Sequence, residues 1–158
     1  FVETWKALIE LRDEGKAKSI GVSNFREEDL RTIIDETGVT PALNQIELHP
    51  SFQQRELRKV HEELGIVTQS WSPLGQGEGL DNDAIAKIAE ETGRPNSAVI
   101  LRWHLQHGLV PIPKASSRKH IEANFEALDF ELSDDQMSRI DALDSDDGRM
   151  GPHPAELN

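Results

Sequence analysis

The sequence of 158 residues contains no cysteine and no tyrosine, and aromatic residues make up only 5% of it. Without cysteine, the chain forms no disulfide and no thiolate metal site, which is typical of proteins in a reducing compartment. No apolar run approaches the length of a membrane span, and the opening residues do not have the pattern of a signal peptide. We therefore expect a soluble, cytoplasmic protein that does not enter a membrane.

Basic residues are also scarce. The chain has 17 Lys and Arg against 29 Asp and Glu, which gives a formal net charge of -12 at pH 7. Nucleic acids and anionic membrane surfaces would be repelled by this charge, so neither is expected as a partner. The length suits one domain with its own core, and no stretch resembles a linker, so we expect a single domain over residues 1–158.

Strand and helix patterns alternate along the chain. Short apolar runs predict strands at 17–22, 42–47, 66–71 and 109–112. Helices are predicted from about Trp5 to Glu14 and over 27–36, 53–64, 81–92, 97–107, 118–128 and 133–143, with an irregular tail at 144–158. Asp81 and either Asn96 or Ser97 are the expected N-caps, and Ser133 is expected to open the last helix. Four strand-then-helix units are typical of a parallel sheet, so the predicted fold class is α/β.

Polar and glycine residues cluster where the predicted strands end. The four strand ends carry the sequences SNF, ELHP, WSPLGQG and PKASS. In parallel α/β folds, ligands bind at the carboxyl ends of the strands. In the third loop, Trp71 offers a flat face to a planar ring, and the glycines let the backbone approach a phosphate. A core tryptophan followed by an ordinary turn is the alternative interpretation of these residues.

Four motifs together resemble the aldo-keto reductase family. They are KSIGVSNF at 18–25, NQIELHP at 44–50, QSWSPLGQG at 69–77 and IPKASS at 112–117. Their order and spacing also match, the likeness covers essentially the whole chain, and the WSPLGQG form is similar to the bacterial diketogluconate-reductase branch. The resemblance implies that the chain is the C-terminal half of a (β/α)8 TIM barrel, with strands five to eight, the final helix and the tail.

The resemblance also implies an activity, the reduction of a small carbonyl substrate, an aldehyde or ketone, with NADPH as cofactor. Carried over residue by residue, it implies nicotinamide contacts from Ser23, Asn24, Gln45 and Trp71, pyrophosphate contacts from Ser72, Leu74 and Gly75, and adenosine-phosphate contacts from Lys114, Ser116, Ser117, His120 and Asn124. Taken singly, each of these residues also suits a purely structural role. Asn24 is a candidate helix cap, Gln45 a satisfied polar group and Lys114 a solvated surface lysine.

Two positions depart from the family pattern near the adenosine phosphate. Ala115 stands where the family usually has serine, and His120 where it usually has the arginine that contacts the 2′-phosphate. Histidine lacks the guanidinium fork, and the loss of one charge-assisted contact costs about 1.5–3 kcal/mol. We therefore expect a relaxed cofactor choice in which NADH is also accepted. Compensation by Arg118 or Lys119 is the alternative.

The resemblance places the catalytic tyrosine, with its supporting Asp, Lys and His, in the first half of the barrel. Since this chain has no tyrosine, it is expected to contribute no catalytic residue, to bind NAD(P)H weakly when alone and to reduce nothing. A barrel takes about 250 residues, so we expect either a missing N-terminal half-barrel or a second chain to close it. The alternative function is a non-catalytic nucleotide-binding half-barrel module that pairs with another chain.

Three other features contain residue types that are common in sites. His49 is interpreted as structural, because no tyrosine is present for it to assist. His104 and His107 lack a third ligand pattern nearby, so no metal site is expected. The acidic run at 144–147 is interpreted as a solvated tail. A different phosphate-binding barrel would account for Lys114 but for neither Trp71 nor Gln45.

Overall fold

The structure is a computed structural model that describes residues 1–156; Leu157 and Asn158, the end of the predicted irregular tail, lie outside the described residues. The helices are α1 Val2–Asp13, α2 Glu27–Thr37, α3 Arg55–Leu64, α4 Asp83–Thr92, α5 Asn96–Gln106, α6 Arg118–Phe125 and α7 Asp134–Asp141. The strands are β1 Val22–Ser23, β2 Leu43–Glu47, β3 Val67–Trp71 and β4 Val110–Pro111. Short 3-10 helices cover Gly75–Asp81, Glu126–Leu128 and Pro154–Glu156.

The four strands are hydrogen-bonded in the order β1-β2-β3-β4. The first two strands pair in parallel, with Val22 opposite Asn44 and Ser23 opposite Gln45. The third strand follows through the Val67 N–H, which donates to the Ala42 carbonyl over 3.1 Å. The fourth is joined by the Ile112 N–H, which donates to the Ser70 carbonyl over 3.1 Å. The predicted α/β fold of four parallel strands with flanking helices is confirmed.

Three predicted boundaries are wrong. A strand was expected at 17–22, but β1 consists of Val22 and Ser23 alone, because ladder pairing with β2 begins at Val22. Asn82 rather than Asp81 caps α4, since its side-chain oxygen accepts the Ala84 N–H over 2.9 Å. The N-cap of α5 is Pro95, with no side-chain cap hydrogen bond. The serine at position 133 does open the last helix, in a reciprocal cap with Gln136.

The chain divides into two compact units. The first comprises Phe1–Ile46, Gln54–Gln69 and the C-terminal residues from His153, and the second comprises Glu47–Gln53 and Ser70–Pro152. In the first unit, the indole N–H of Trp5 donates to the Val39 carbonyl over 3.2 Å. Trp5, Ile20 and Ile33 form its buried apolar cluster.

The second unit has its own core. Its buried apolar cluster consists of Ala98, Leu101 and Ala127, with Leu74, Leu105 and Phe130 packed against it. On α7, Arg139 donates to the Glu91 carboxylate of α4 over 2.9 Å. Hydrogen bonds from Arg139 and Gln136 lower the pKa of Glu91 to about 2. Helices α4 and α7 are therefore joined by a charge-assisted contact at their surface.

The second unit also leaves apolar surface exposed. Phe125 is 65% exposed and Leu128 60% exposed. Beside them lies an open groove of about 290 Å³ whose lining includes Val110, Pro111 and Pro113. Within residues 1–156, no helix combines the length and the apolar character needed to cross a membrane.

Candidate functional site

The loop that follows β3 has an unusual backbone. Ser72, Gly75, Gln76 and Gly77 all have positive φ, at 48°, 57°, 52° and 108°. For the two non-glycine residues, this left-handed conformation costs about 1–3 kcal/mol each, and such residues concentrate at ligand sites. The Gly77 backbone also has open space beside it, since a Cβ added there would meet nothing within 4 Å.

A cavity of about 530 Å³ lies beside this loop in the second unit. Five of the residues expected to contact the cofactor line it: Ser72, Leu74, Lys114, His120 and Asn124. The other lining residues are Pro73, Gln76, Gly77, Leu80, Ser97, Ile112 and Pro113. The volume falls within the range of about 300–1,000 Å³ that is usual for small-molecule and cofactor sites.

The donor groups of the cavity suit an anionic ligand. Lys114 contributes a cationic ammonium group, and His120 contributes an imidazole. The hydroxyls of Ser72 and Ser97 add further donors, while Leu80 supplies apolar surface. Phosphate groups and a flat apolar base, which are the parts of a nucleotide, match this combination.

Of the eight residues expected at the pyrophosphate and the adenosine phosphate, three do not line the cavity. Gly75 is buried, and a Cβ added there would lie 3.5 Å from Cε of Met150 and 3.8 Å from Nδ1 of His49. The hydroxyl of Ser117 accepts the His120 N–H over 3.2 Å, so it caps the first turn of α6. Ser116 is exposed just ahead of that helix.

The residues expected at the nicotinamide carboxamide lie together in the first unit. The Gln45 carbonyl accepts the Ser23 hydroxyl over 3.1 Å and the Asn24 N–H over 2.8 Å. The Gln45 side-chain amide donates to Oε1 of Gln69 over 2.6 Å. Asn24 has a φ of 58° and does not cap α2, whose N-cap is Arg26. These side chains therefore cluster at the carboxyl end of β1 and the neighbouring part of β2, where a hydrogen-bonding ligand group would meet amides and a hydroxyl.

The site around His49 is enclosed. Its Nδ1 lies 3.0 Å from the Ser51 hydroxyl, and its Nε2 lies 3.3 Å from a carboxylate oxygen of Glu47. Both His49 and Glu47 are buried. Burial lowers the pKa of His49, despite the opposing effect of Glu47. These contacts agree with the structural interpretation of His49.

The two histidines near the end of α5 also contact protein groups. The ring nitrogens of His104 lie 2.9 Å from the Ile100 carbonyl and 3.2 Å from the Leu48 carbonyl. Nε2 of His107 lies 2.8 Å from a carboxylate oxygen of Asp141. In the part of the chain that the structure describes, no group of three or more potential ligands is arranged to hold a metal ion.

The four residues of the acidic run at 144–147 are all exposed, as a solvated segment would be. The carboxylate of Asp144 accepts the backbone N–H of Gln53 over 2.8 Å. Asp144 thus also contacts a residue that lies 91 positions away in the sequence.

Several residues of the site were missed from the sequence. Glu47 and Gln69 stand two positions from Gln45 and Trp71, respectively, so strand alternation places each on the same face as an expected residue. Strand alternation is thus a signal that could have identified both. Ser97 had no local signal, because it reaches the cavity from the start of α5.

The sequence matches the family model described as the aldo/keto reductase family over residues 1–145. The chain therefore belongs to the aldo/keto reductase family, as the motif resemblance implied. The four strands and their helices correspond to part of its (β/α)8 barrel.

Two curated relatives match along nearly the whole chain. An aldo-keto reductase from Mycobacterium sp. (strain KMS) is 49% identical over 158 residues, which cover 100% of this chain and 57% of that protein. Methylglyoxal reductase DkgA from Escherichia coli is 47% identical over 159 residues, which cover 99% of this chain and 58% of that protein. The chain thus spans a little under three fifths of the length of these relatives.

A similar solved structure carries a bound cofactor. It is a mutant of Gox0644 in complex with NADPH, with a TM-score of 0.96 and 52% sequence identity. The alignment covers 98% of this chain and 57% of that one.

Proposed function

We propose that this chain supplies the cofactor-binding half of an NAD(P)H-dependent reductase of aldehydes and ketones. The observation that carries the proposal is the cavity beside the β3 loop, where five residues expected at the cofactor meet in one unit. Ser72 and Leu74 belong to the motif at 69–77, whereas the other three residues lie at 114–124. Their convergence on one cavity favours a binding role over independent structural roles.

In this proposal the adenosine end of the cofactor occupies the cavity. Lys114 pairs with a phosphate, and Asn124 contacts the adenine. The backbone of the loop from Ser72 to Gly77 lies along the pyrophosphate, since its left-handed turns bring backbone groups next to the cavity. The phosphates of either nucleotide fit this set, and the 2′-phosphate of NADPH would meet His120.

The nicotinamide end is assigned to Ser23, Asn24, Gln45 and Trp71, as the motif resemblance implies. A carboxamide has one donor group and one acceptor, and the Asn24 and Gln45 side chains offer both kinds of partner. Trp71 provides the flat face for the ring. When bound, the nicotinamide would supply the hydride that passes to the carbonyl carbon of the substrate. The role of this chain is to fix which face of the ring points at the substrate.

The proton donor is assigned to residues outside this sequence, because the chain contains no tyrosine. A complete reductase would give its proton to the carbonyl oxygen as the hydride reaches carbon, which yields an alcohol and the oxidised cofactor. The similarity to a methylglyoxal reductase makes small dicarbonyl compounds the first substrates to test. A cytoplasmic location remains a prediction.

Intact mass spectrometry of the polypeptide, as its source makes it, tests the assignment of a missing half. The sequence accounts for 17.7 kDa. A mass near twice that value supports a complete barrel whose first half carries Asp, Tyr, Lys and His. A mass near 17.7 kDa favours the alternative, a nucleotide-binding half-barrel that pairs with another chain. The absence of tyrosine is the observation that favours this alternative.

Turnover provides the second test. The 158-residue chain alone, mixed with NADPH and methylglyoxal, is expected to leave the absorbance of NADPH unchanged. The complete protein is expected to consume it steadily. Steady consumption by the pure isolated chain would overturn the assignment of the proton donor to residues outside this sequence.

A further inference from the structure

Within the second unit, hydrogen bonds and a cation–π contact hold the segment from Asp144 to Gly151 against the loop that follows β2. Besides the contact between Asp144 and Gln53, the Ser145 N–H donates to the Ser51 carbonyl over 3.2 Å. Next to them, the Arg149 guanidinium lies 4.5 Å from the ring centre of Phe52. These contacts hold the segment along its length, so its end is not free to move independently of the loop.

The end of this segment is held by one buried carboxylate. Glu47 is 1% exposed, and its two oxygens accept the N–H groups of Met150 and Gly151 over 2.6 Å and 3.0 Å. Hydrogen bonds to an ionised acceptor are about twice as strong as neutral ones. A buried carboxylate also needs such donors to offset its lost hydration. The position of Gly151 is therefore set by Glu47.

Gly151 in turn lies against the indole of Trp71. A Cβ added at Gly151 would stand 2.6 Å from Cη2 and 3.4 Å from Cζ2 of Trp71, and 3.0 Å from Oε2 of Glu47. The first of these distances is too short for any carbon contact, so a side chain at this position would displace the indole. The backbone at Gly151 thus packs along the benzo edge of the Trp71 indole.

We propose that Glu47 and Gly151 are positioning residues that keep the Trp71 indole in the orientation needed to stack on the nicotinamide ring. This inference rests on the proposed function, in which Trp71 is the stacking aromatic. Neither residue touches the cofactor. Glu47 fixes the tail, and Gly151 limits the tilt of the indole.

Two ligands separate a positioning role from a general structural one. NADPH uses both ends of the proposed site, whereas adenosine 2′,5′-bisphosphate uses only the end at Lys114, His120 and Asn124. Isothermal titration of the complete protein with each ligand would compare the wild type with Glu47→Gln and Gly151→Ala. The control variants are Glu56→Gln, an exposed glutamate on α3, and His153→Ala, an exposed tail residue.

Each test variant is expected to weaken NADPH binding by roughly tenfold, as partial loss of a ring-stacking contact predicts. Binding of adenosine 2′,5′-bisphosphate should change by less than about twofold. Both controls should bind both ligands as the wild type does. Thermal melting checks that each variant is folded; if Glu47→Gln does not fold, Gly151→Ala decides the matter alone.

Other outcomes overturn the inference in distinguishable ways. Wild-type NADPH affinity in both variants would mean that the tail does not position the indole. Equal weakening of the binding of both ligands would mean that Glu47 and Gly151 have a structural role only. If the wild type binds neither ligand, the proposed function itself fails, and the inference fails with it.

Discussion

His61 accepts a hydrogen bond at Nε2 from the side-chain amide of Asn44, with 3.0 Å between the two nitrogens. The same amide group donates to the Phe25 carbonyl over 2.8 Å, which fixes its orientation. Since Nε2 is the acceptor, the proton of the neutral imidazole is on Nδ1, which donates to the Thr68 hydroxyl over 2.8 Å. The ring is 1% exposed and therefore has no room for a second proton without losing a partner.

The stability of the protein should depend on pH through this group. Burial lowers the pKa of His61 from its ordinary 6.5 to about 4. Well above pH 6.5 the imidazole is neutral in both states. Between pH 6.5 and 4 only the unfolded chain takes up the proton, so the free energy of unfolding falls by about 1.4 kcal/mol per pH unit, or about 3 kcal/mol across the window.

Urea unfolding at a series of pH values, for the wild type and for His61→Gln, measures this effect. Burial lowers the pKa of His49 as well, so in both proteins His49 contributes to the pH dependence of stability with the same sign. The difference between the two proteins isolates His61. Parallel profiles for the two proteins between pH 6.5 and 4 would show that the unfolded state gains no advantage from this histidine.

Replacing Thr68 by Val should destabilise the fold. The two side chains have nearly the same shape, but the valine leaves the Nδ1–H of His61 buried without an acceptor. A buried unpaired donor costs about 1–3 kcal/mol. The expected loss in the free energy of unfolding is therefore about 2 kcal/mol at about pH 7, measured by urea titration. Thr40→Val, at an exposed position, is the matched control and should change stability by less than about 0.5 kcal/mol. Equal losses of stability in the two variants would contradict the prediction.

His120→Arg should strengthen NADPH binding and leave NADH binding unchanged. An arginine can pair with the 2′-phosphate, and a charge-assisted contact of about 1.5–3 kcal/mol corresponds to about tenfold to hundredfold in the dissociation constant. Isothermal titration with both nucleotides measures the ratio.

His153→Arg makes the same substitution at an exposed site in the tail and controls for net charge. Equal strengthening of NADH and NADPH binding would speak against a contact with the 2′-phosphate. A wild-type preference for NADPH above about a hundredfold would contradict the relaxed cofactor choice expected from His120.

Lys114→Met should weaken NADPH binding by at least about tenfold, because the methionine keeps the apolar stem and removes the charge that pairs with a phosphate. The salt dependence of binding should also become shallower, since one ionic contact is lost. Lys59→Met, on the surface of α3 beside Glu56, is the control. An unchanged salt dependence in the Lys114 variant would place this lysine away from the phosphates.

The sequence predicted the fold better than its boundaries. The opening of the last helix at Ser133 is a local signal and was predicted, and the glycines that end helices with positive φ, Gly38, Gly65 and Gly93, are local signals of the same kind. The start of α5 was not, because the Asn96 side chain donates to the Leu80 carbonyl instead of capping its own helix. That partner lies 16 positions away and is supplied only by the folded chain.

The same distinction applies to the site. The loop with Trp71 and the segment with Lys114 could be found from motifs, because their residues are consecutive. The hydrogen bond from the Gly151 N–H to Glu47 joins two residues that are 104 positions apart in the sequence. No periodicity or spacing predicts such a pair, so the tail was expected only to be irregular.

The exposed apolar surface at Phe125 and Leu128 affects how the chain can be handled. An isolated chain that carries such a patch is prone to self-association, and its net charge of -12 opposes this only while salt is low. Purification of the 158-residue chain by itself should therefore succeed in dilute, low-salt buffer and give precipitate when ionic strength or concentration rises.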